Sequence, residues 1–234
     1  MRGAVLHEEI TMKLRSMPWI AMAALATTSP AMADMDGIAW ELVGNDLIPD
    51  SYTIRLFAEI DEGDHLLWVG GTNDFNLRIE ASHGASFYQN TLGGPTSQFI
   101  NTAFFPLIPS LEWDSYVTIG ATSTLDNGLQ HMGMDWSSWD PDGGDLVSDN
   151  GLWFVTSADE QGAPIDGRVL IGQFTIQSGT YFPNFYFQAM FHGIDADGTP
   201  WSAARDFAWL APGPSGLVLL GLVMMQPRRR RQTN

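Results

Sequence analysis

Short segments in which apolar and polar residues alternate recur along the middle of the chain. Residues 51–60 give the clearest case, because every second side chain is apolar: Tyr52, Ile54, Leu56 and Ala58. A period of two is typical of a β-strand with one buried face. The same pattern, or enrichment in β-forming residues, predicts further strands at 38–43, 65–69, 75–81, 116–122, 152–156, Arg168–Gln177, 184–192 and 207–210.

Clusters of Gly, Asp, Asn and Pro separate these segments at 61–64, 92–95, 126–128 and 140–145. Such residues favour turns because they tolerate positive φ or hydrogen-bond to their own backbone. No segment of the body keeps the helical period of 3.6 residues for three turns. The pattern predicts an all-β fold, an antiparallel β-sandwich that is jelly-roll-like, with a single closed barrel as the alternative.

Two stretches of the body are too long and irregular for tight turns. Residues 89–115 carry Gly, Pro and Asn around isolated pairs of Phe, and residues 136–150 form a second such stretch. We expect the first to be a large loop or an excursion packed over one sheet.

The N-terminal residues 1–33 have the layout of a secretion signal. Positive charge at Lys13 and Arg15 precedes the ten-residue apolar run 17–26, and small residues stand at Ala31 and Ala33. This order predicts cleavage by signal peptidase immediately after Ala33, and the apolar run is shorter than the roughly 20 residues of a membrane span. A buried amphipathic helix is the alternative.

The start of this signal is expected at Met12 and not at the first residue. Glu8 and Glu9 lie where a signal needs positive charge. We therefore interpret the first eleven residues as an upstream extension of the signal.

The body, residues 34–210, is one domain's length of chain and strongly acidic. It carries 25 acidic side chains against four arginines and no lysine, a net charge of −21. Such a surface repels phosphate backbones, which excludes nucleic acid as an expected partner. The chain has no cysteine, so disulfides, zinc–thiolate sites and cysteine nucleophiles are excluded.

The C-terminal residues 211–234 differ sharply from the body. A short break is followed by the wholly apolar run 216–225 and then by a basic cluster. The residues that define this pattern are Pro212, Gly213, Pro214 and Ser215 in the break, and Arg228, Arg229, Arg230 and Arg231 in the cluster. By the positive-inside rule the arginines would stay cytoplasmic and leave the acidic body outside.

This tail resembles the PEP-CTERM protein-sorting domain of exported bacterial proteins. The resemblance implies recognition of the proline motif by an exosortase, a membrane cysteine protease, while the helix and arginines hold the precursor in the inner membrane. Gly213 departs from the family, which usually has Glu there. Residues 217–225 would also reach only about 15 Å as a helix, against a hydrocarbon layer of about 30 Å. A terminal strand followed by a basic tail is the alternative.

The body in turn is similar to a domain that recurs in exported bacterial proteins bearing such tails. The residues that prompt this comparison lie at 86–90, 93–94, 104–106, 111–120, 153–156 and 167–174. The similarity implies a shared fold and no particular mechanism.

Two aspartate-rich loops are candidate calcium sites, because closely spaced carboxylates beside Gly can supply several oxygen ligands to a hard cation. The candidate ligands are Asp140, Asp142 and Asp145 in one loop, and Asp195 and Asp197 in the other. Neither loop completes an EF-hand. Ordinary turns are the alternative, since the sequence DxDG is common in them. No cofactor other than a structural calcium ion is expected.

Tryptophans beside the first aspartate loop are candidates for stacking on sugars. Trp136 and Trp139 could form such a platform, as could Trp201. The alternative is that these rings cover the core of the sandwich or close a loop.

The sequence contains none of the motifs of the commoner catalytic sites. HExxH, GxSxG, the P-loop and GxGxxG are all absent, and carboxylate pairs suited to glycoside hydrolysis are too numerous to be informative. We therefore expect a non-catalytic surface or extracellular-matrix protein of the cell envelope. A calcium-assisted glycan-binding module and a glycan-active enzyme on a jelly-roll scaffold are the alternatives.

The partners expected from these features are those of an exported precursor. They are signal peptidase and the secretion machinery, an exosortase, exopolysaccharide, and the membrane through the tail before processing.

Overall fold

Residues 35–82, 84–178 and 184–209 are described by this computed structural model, and within them the regular structure is almost entirely β. The strands are β1 Gly37–Val43, β2 Ser51–Glu59, β3 His65–Gly70, β4 Leu77–Ala81, β5 Ser86–Phe87, β6 Tyr116–Val117, β7 Gln130–Met132, β8 Leu146–Ser148, β9 Leu152–Phe154, β10 Arg168–Gln177, β11 Phe185–Ile194 and β12 Pro200–Trp209. Short 3-10 turns occur at Ser97–Phe99, Thr102–Phe104, Pro109–Trp113 and Glu160–Gly162.

The strands form two antiparallel sheets. In the five-stranded sheet the order is β1-β2-β10, and β5 and β6 both pair with the far edge of β10. In the seven-stranded sheet β12 pairs with one edge of β11 over its whole length, while β3 and β4 share the other edge. Beyond them β9 pairs with β3, β8 with β4, and β7 with β9. The expected all-β sandwich architecture is confirmed at this level.

The core lies between the two sheets, and alternation along the strands builds it. Ile54, Leu56 and Ala58 of β2 are fully buried, as the period of two predicts. Every second residue of β11 is buried as well, beginning with Phe185 and Phe187. Burial of one such large apolar side chain contributes about 1.5–3 kcal/mol, so these two strands are central to stability.

The outer face of the five-stranded sheet is also covered, but by polar contacts. Thr53 and Thr175 are fully buried there, and their hydroxyl oxygens lie 2.7 Å apart. The covering segment, residues 88–129, is held by hydrogen bonds such as that from Ser115 Oγ to the carbonyl of Thr175, 3.2 Å. It has a small apolar core of its own around Leu111 and Tyr116. The excursion expected near residues 89–115 is therefore packed over this sheet.

Two strands, β12 and β6, have different bounds from those that the local sequence pattern predicts. β12 begins at Pro200, well before the predicted 207–210, because the turn after β11 aligns all ten residues with that strand. β6 ends at Val117 and not at residue 122, although the chain stays beside β10, where the N–H groups of Thr118 and Gly120 donate to the carbonyls of Ile171 and Leu170 at 3.0 and 2.8 Å. The short strands β5, β7 and β8 were not predicted.

Candidate functional site

An open groove of about 710 Å³ lies on the outer face of the five-stranded sheet, beside the part covered by the excursion. Its floor is formed by Phe57 of β2 and Leu170 of β10, which are direct partners in the strand register. Leu170 is 7% exposed and Phe57 is half-buried. The volume falls in the range of roughly 300–1,000 Å³ that is typical of ligand sites.

Two loops form the walls, residues 120–126 from the end of the excursion and residues 160–166 before β10. The backbone N–H of Gly120 donates to the carbonyl of Leu170, 2.8 Å. Gln161 ties the walls together: its Nε2 donates to the carbonyl of Ile119, 2.6 Å, and its Oε1 accepts from the N–H of Gly128, 2.7 Å. Both walls are thus hydrogen-bonded to each other or to the floor, which makes the groove a preformed feature.

Gly120 is required where the two walls meet. Its φ is +71°, and a Cβ there would lie 1.9 Å from the carbonyl oxygen of Gln161. Only glycine combines this left-handed backbone with so close an approach.

The groove gathers two of the four arginines of the body. Arg55 lies on β2, between its strand partners Glu41 of β1 and Gln173 of β10. Its Nε donates to Oε1 of Gln173, 2.9 Å. Arg168 is 43% exposed and stands 3.7 Å from a carboxylate oxygen of both Glu41 and Glu59. At 3.7 Å these contacts are too long for hydrogen bonds, so the Arg168 guanidinium can turn its donors to a ligand.

Carboxylates and exposed apolar side chains complete the lining. The acidic residues in contact with the groove are Glu41, Asp126, Glu160 and Asp166. Leu125 on one wall is 74% exposed and Ile165 on the other is 79% exposed. Charged groups of both signs therefore line a groove with an apolar floor and apolar edges, an arrangement suited to binding.

The first predicted calcium loop is packed against the sandwich. The N–H of Phe87 donates to the carbonyl of Gly143, 2.8 Å, and Oδ1 of Asp145 accepts from the N–H of Ala81, 3.1 Å. Asp140 is half-buried, and burial raises the pKa of its carboxyl group, whereas Asp142 is exposed.

The second predicted calcium loop is a hydrogen-bonded turn between β11 and β12. Oδ1 of Asp195 accepts from the N–H groups of Asp197, 2.9 Å, and Thr199, 2.7 Å. Such hydrogen bonds are typical of an ordinary turn, which is the alternative to a calcium site. In the described part of the chain no three His, Asp or Glu side chains are grouped so that they could hold a metal ion.

The predicted tryptophan platform is wrong for Trp139. That ring is fully buried, with Phe87 and Phe174 at 6.1 and 6.5 Å between ring centroids. Trp136 is half-buried and packs against Trp139 at 6.0 Å, and Trp201 is only 6% exposed. A ring without exposed surface cannot stack on a sugar, so the alternative of core aromatics applies to Trp139 and Trp201.

The predicted targeting residues lie outside the described residues. This applies to the cleavage positions Ala31 and Ala33 and to the whole sorting motif, Pro212, Gly213, Pro214, Ser215, Arg228, Arg229, Arg230 and Arg231. Among the residues that the structure does describe, no helix is long and apolar enough to cross a membrane.

Comparisons with known proteins do not identify the function of this groove. No protein-family model matches the chain, and no curated protein matches it either. One similar solved structure is a cohesin module from a family 33 glycoside hydrolase of Clostridium perfringens ATCC13124. It is 7% identical, the match covers 74% of this chain and 94% of that one, and the TM-score is 0.35. A likeness of that size supports no inference about function.

Proposed function

We propose that this chain is an exported protein of the cell surface or extracellular matrix, and that its body acts by binding and not by catalysis. The jelly-roll form of the sandwich, the secretion signal in residues 1–33 and the sorting tail in residues 211–234 are parts of the same proposal. The order of charge, apolar run and small residues at the start, and of prolines, apolar run and arginines at the end, supports export.

The observation that carries the binding role is the groove on the outer face of the five-stranded sheet. It combines an apolar floor at Phe57 and Leu170 with polar groups of both signs, and its volume is about 710 Å³. Its walls are braced by Gln161, so that little ordering is needed when a ligand enters. Preorganisation of this kind favours binding because less conformational entropy is lost.

Export is tested on intact cells that produce the full chain. An antibody raised against the body should label these cells, or should detect the body in the culture medium, before any lysis. Labelling that appears only after lysis would contradict the proposal. As a control, replacement of Ala31 and Ala33 by Phe should keep the precursor uncleaved, because signal peptidase reads small residues at those positions.

Catalysis is tested separately by incubating the purified full chain with polysaccharides and measuring new reducing ends. The proposal predicts none above the background of a sample without protein. Release of reducing ends would instead support the alternative of a glycan-active enzyme, in which two carboxylates of the groove would act as acid and base.

A further inference from the structure

We infer that the groove on the five-stranded sheet binds a neutral glycan chain. This inference rests on the proposed binding role and names the class of ligand. The shape of the groove suits a chain of sugar rings: the floor lies on a sheet surface, and the apolar edges Leu125 and Ile165 stand 74% and 79% exposed on opposite walls. A pyranose ring offers apolar C–H faces that can pack against the half-buried ring of Phe57 and against these edges, and an open groove can hold several units of a chain.

The polar lining of the groove suits sugar hydroxyls. Sugar hydroxyls both donate and accept hydrogen bonds, so they need donors and acceptors side by side. Arg55 and Arg168 supply donors in a planar fork, while the Asp126 and Asp166 carboxylates supply acceptors. Of the Arg55 nitrogens only Nε donates to another described side chain, Gln173. Its two Nη groups are therefore available to hydroxyls in the groove.

The charge of the groove and of the body favours a neutral sugar over a charged ligand. The groove contains two guanidinium groups against four carboxylates, and the body around it carries a net charge of −21. This field repels uronic acids and sulfated sugars. A cationic peptide would be attracted by the body but would meet Arg55 and Arg168 inside the groove. A neutral ligand can hydrogen-bond to both the arginines and the carboxylates and is repelled by neither.

The test is affinity electrophoresis of the full chain through gels that contain one probe each. Laminarin, dextran, pullulan and mannan are the neutral polysaccharides, alginate is the anionic one, and polylysine is the cationic peptide. We expect retardation by at least one neutral polysaccharide and none by alginate, whereas polylysine retards the acidic body through charge alone. Retardation only by alginate, only by polylysine, or by no probe would overturn the inference. The labelling test for export is independent, so that failure here leaves that result standing.

Variants locate the binding to the groove. Leu125→Asp and Ile165→Asp place a charge on the apolar edges, and both side chains are largely exposed, so the fold should tolerate them. Each should weaken retardation by the neutral polysaccharide about tenfold. Leu107→Asp is the matched control, because Leu107 is 80% exposed but does not line the groove. Equal affinity of all three variants and the parent chain would place the ligand elsewhere and refute the assignment.

Discussion

The buried carboxylate of Asp114 accepts a 2.6 Å hydrogen bond from the backbone N–H of Asn90, 24 residues earlier in the chain. Its second oxygen accepts from the N–H of Gly94, 3.1 Å. Gly93 lies so close that a Cβ there would stand 1.7 Å from that oxygen. One side chain thus joins residue 114 to residues 90–94 within the segment that covers the outer face of the five-stranded sheet.

Asp114→Asn should destabilise the protein, most strongly at low pH. The protonated carboxyl group keeps a hydroxyl oxygen that can accept the second N–H bond, whereas the NH₂ group of an amide cannot accept, so one donor would lose its partner at a cost of about 1–3 kcal/mol. Burial raises the pKa of Asp114 from 3.8 to about 7, although bonds from Asn90 and Gly94 act in the opposite direction. Because the folded state holds this proton more tightly, the contribution is full below pH 3.8 and is lost as the pH rises through about 7.

Thermal melts of both proteins between pH 4 and 8 measure this effect. Other carboxylates titrate equally in both, so that the difference in melting temperature isolates position 114. The gap should shrink as the pH rises from 4 to 7 and level off above that. A gap that is constant, or that widens with pH, would show that the folded-state pKa of Asp114 is not raised.

Gly120→Ala should destabilise the protein and open the groove. A left-handed backbone alone costs an L-residue about 1–2 kcal/mol, and the clash with the Gln161 carbonyl adds about 1–3 kcal/mol of overpacking. Gly84→Ala is the matched control, since its φ of +73° is nearly that of Gly120 and nothing lies within 4 Å of its Cβ position.

Urea unfolding of the two glycine variants gives the comparison. The free energy of unfolding should fall further for the Gly120 variant than for the Gly84 variant. Equal losses of unfolding free energy in the two variants would mean that the Gln161 carbonyl moves away from a Cβ at residue 120 without destabilising the protein.

Much of the sandwich can be predicted from the local sequence pattern, but the groove cannot. The alternation in β2 and the enrichment of Arg168–Gln177 in β-forming residues predict two long strands within a residue of their ends. β12 is predicted only at its end, 207–210, because the alanines and polar residues before it have little β-propensity and pairing with β11 decides its length. The groove gathers residues from 41 to 170, and only the strand register and the loop crossings bring these residues together.

Trp139 should matter for stability and not for ligand binding. Trp139→Ala would leave a large cavity among Phe87 and Phe174 and should lower the free energy of unfolding by about 3–5 kcal/mol. Trp139→Phe fills most of that space and should fold with a smaller loss. Neutral-glycan retardation should be unchanged for the Phe variant, and its loss in a folded protein would restore the predicted tryptophan platform.

Millimolar calcium should leave the melting temperature unchanged. The Asp195 carboxylate already accepts two backbone N–H bonds within its own turn, so that an ion would have to compete with them. Asp195→Asn is the informative variant, because the amide oxygen can still accept both bonds while the charge is lost. A calcium-induced rise in the parent chain that is absent from this variant would support the calcium prediction.

Backbone hydrogen exchange of the full chain, with and without the neutral polysaccharide that retards it most, tests the binding groove most directly. The account predicts slower exchange in residues 120–126 and 160–166 when the glycan is present, with little change in residues 136–145. Protection confined to residues 136–145, beside Trp136 and the first aspartate loop, would contradict it.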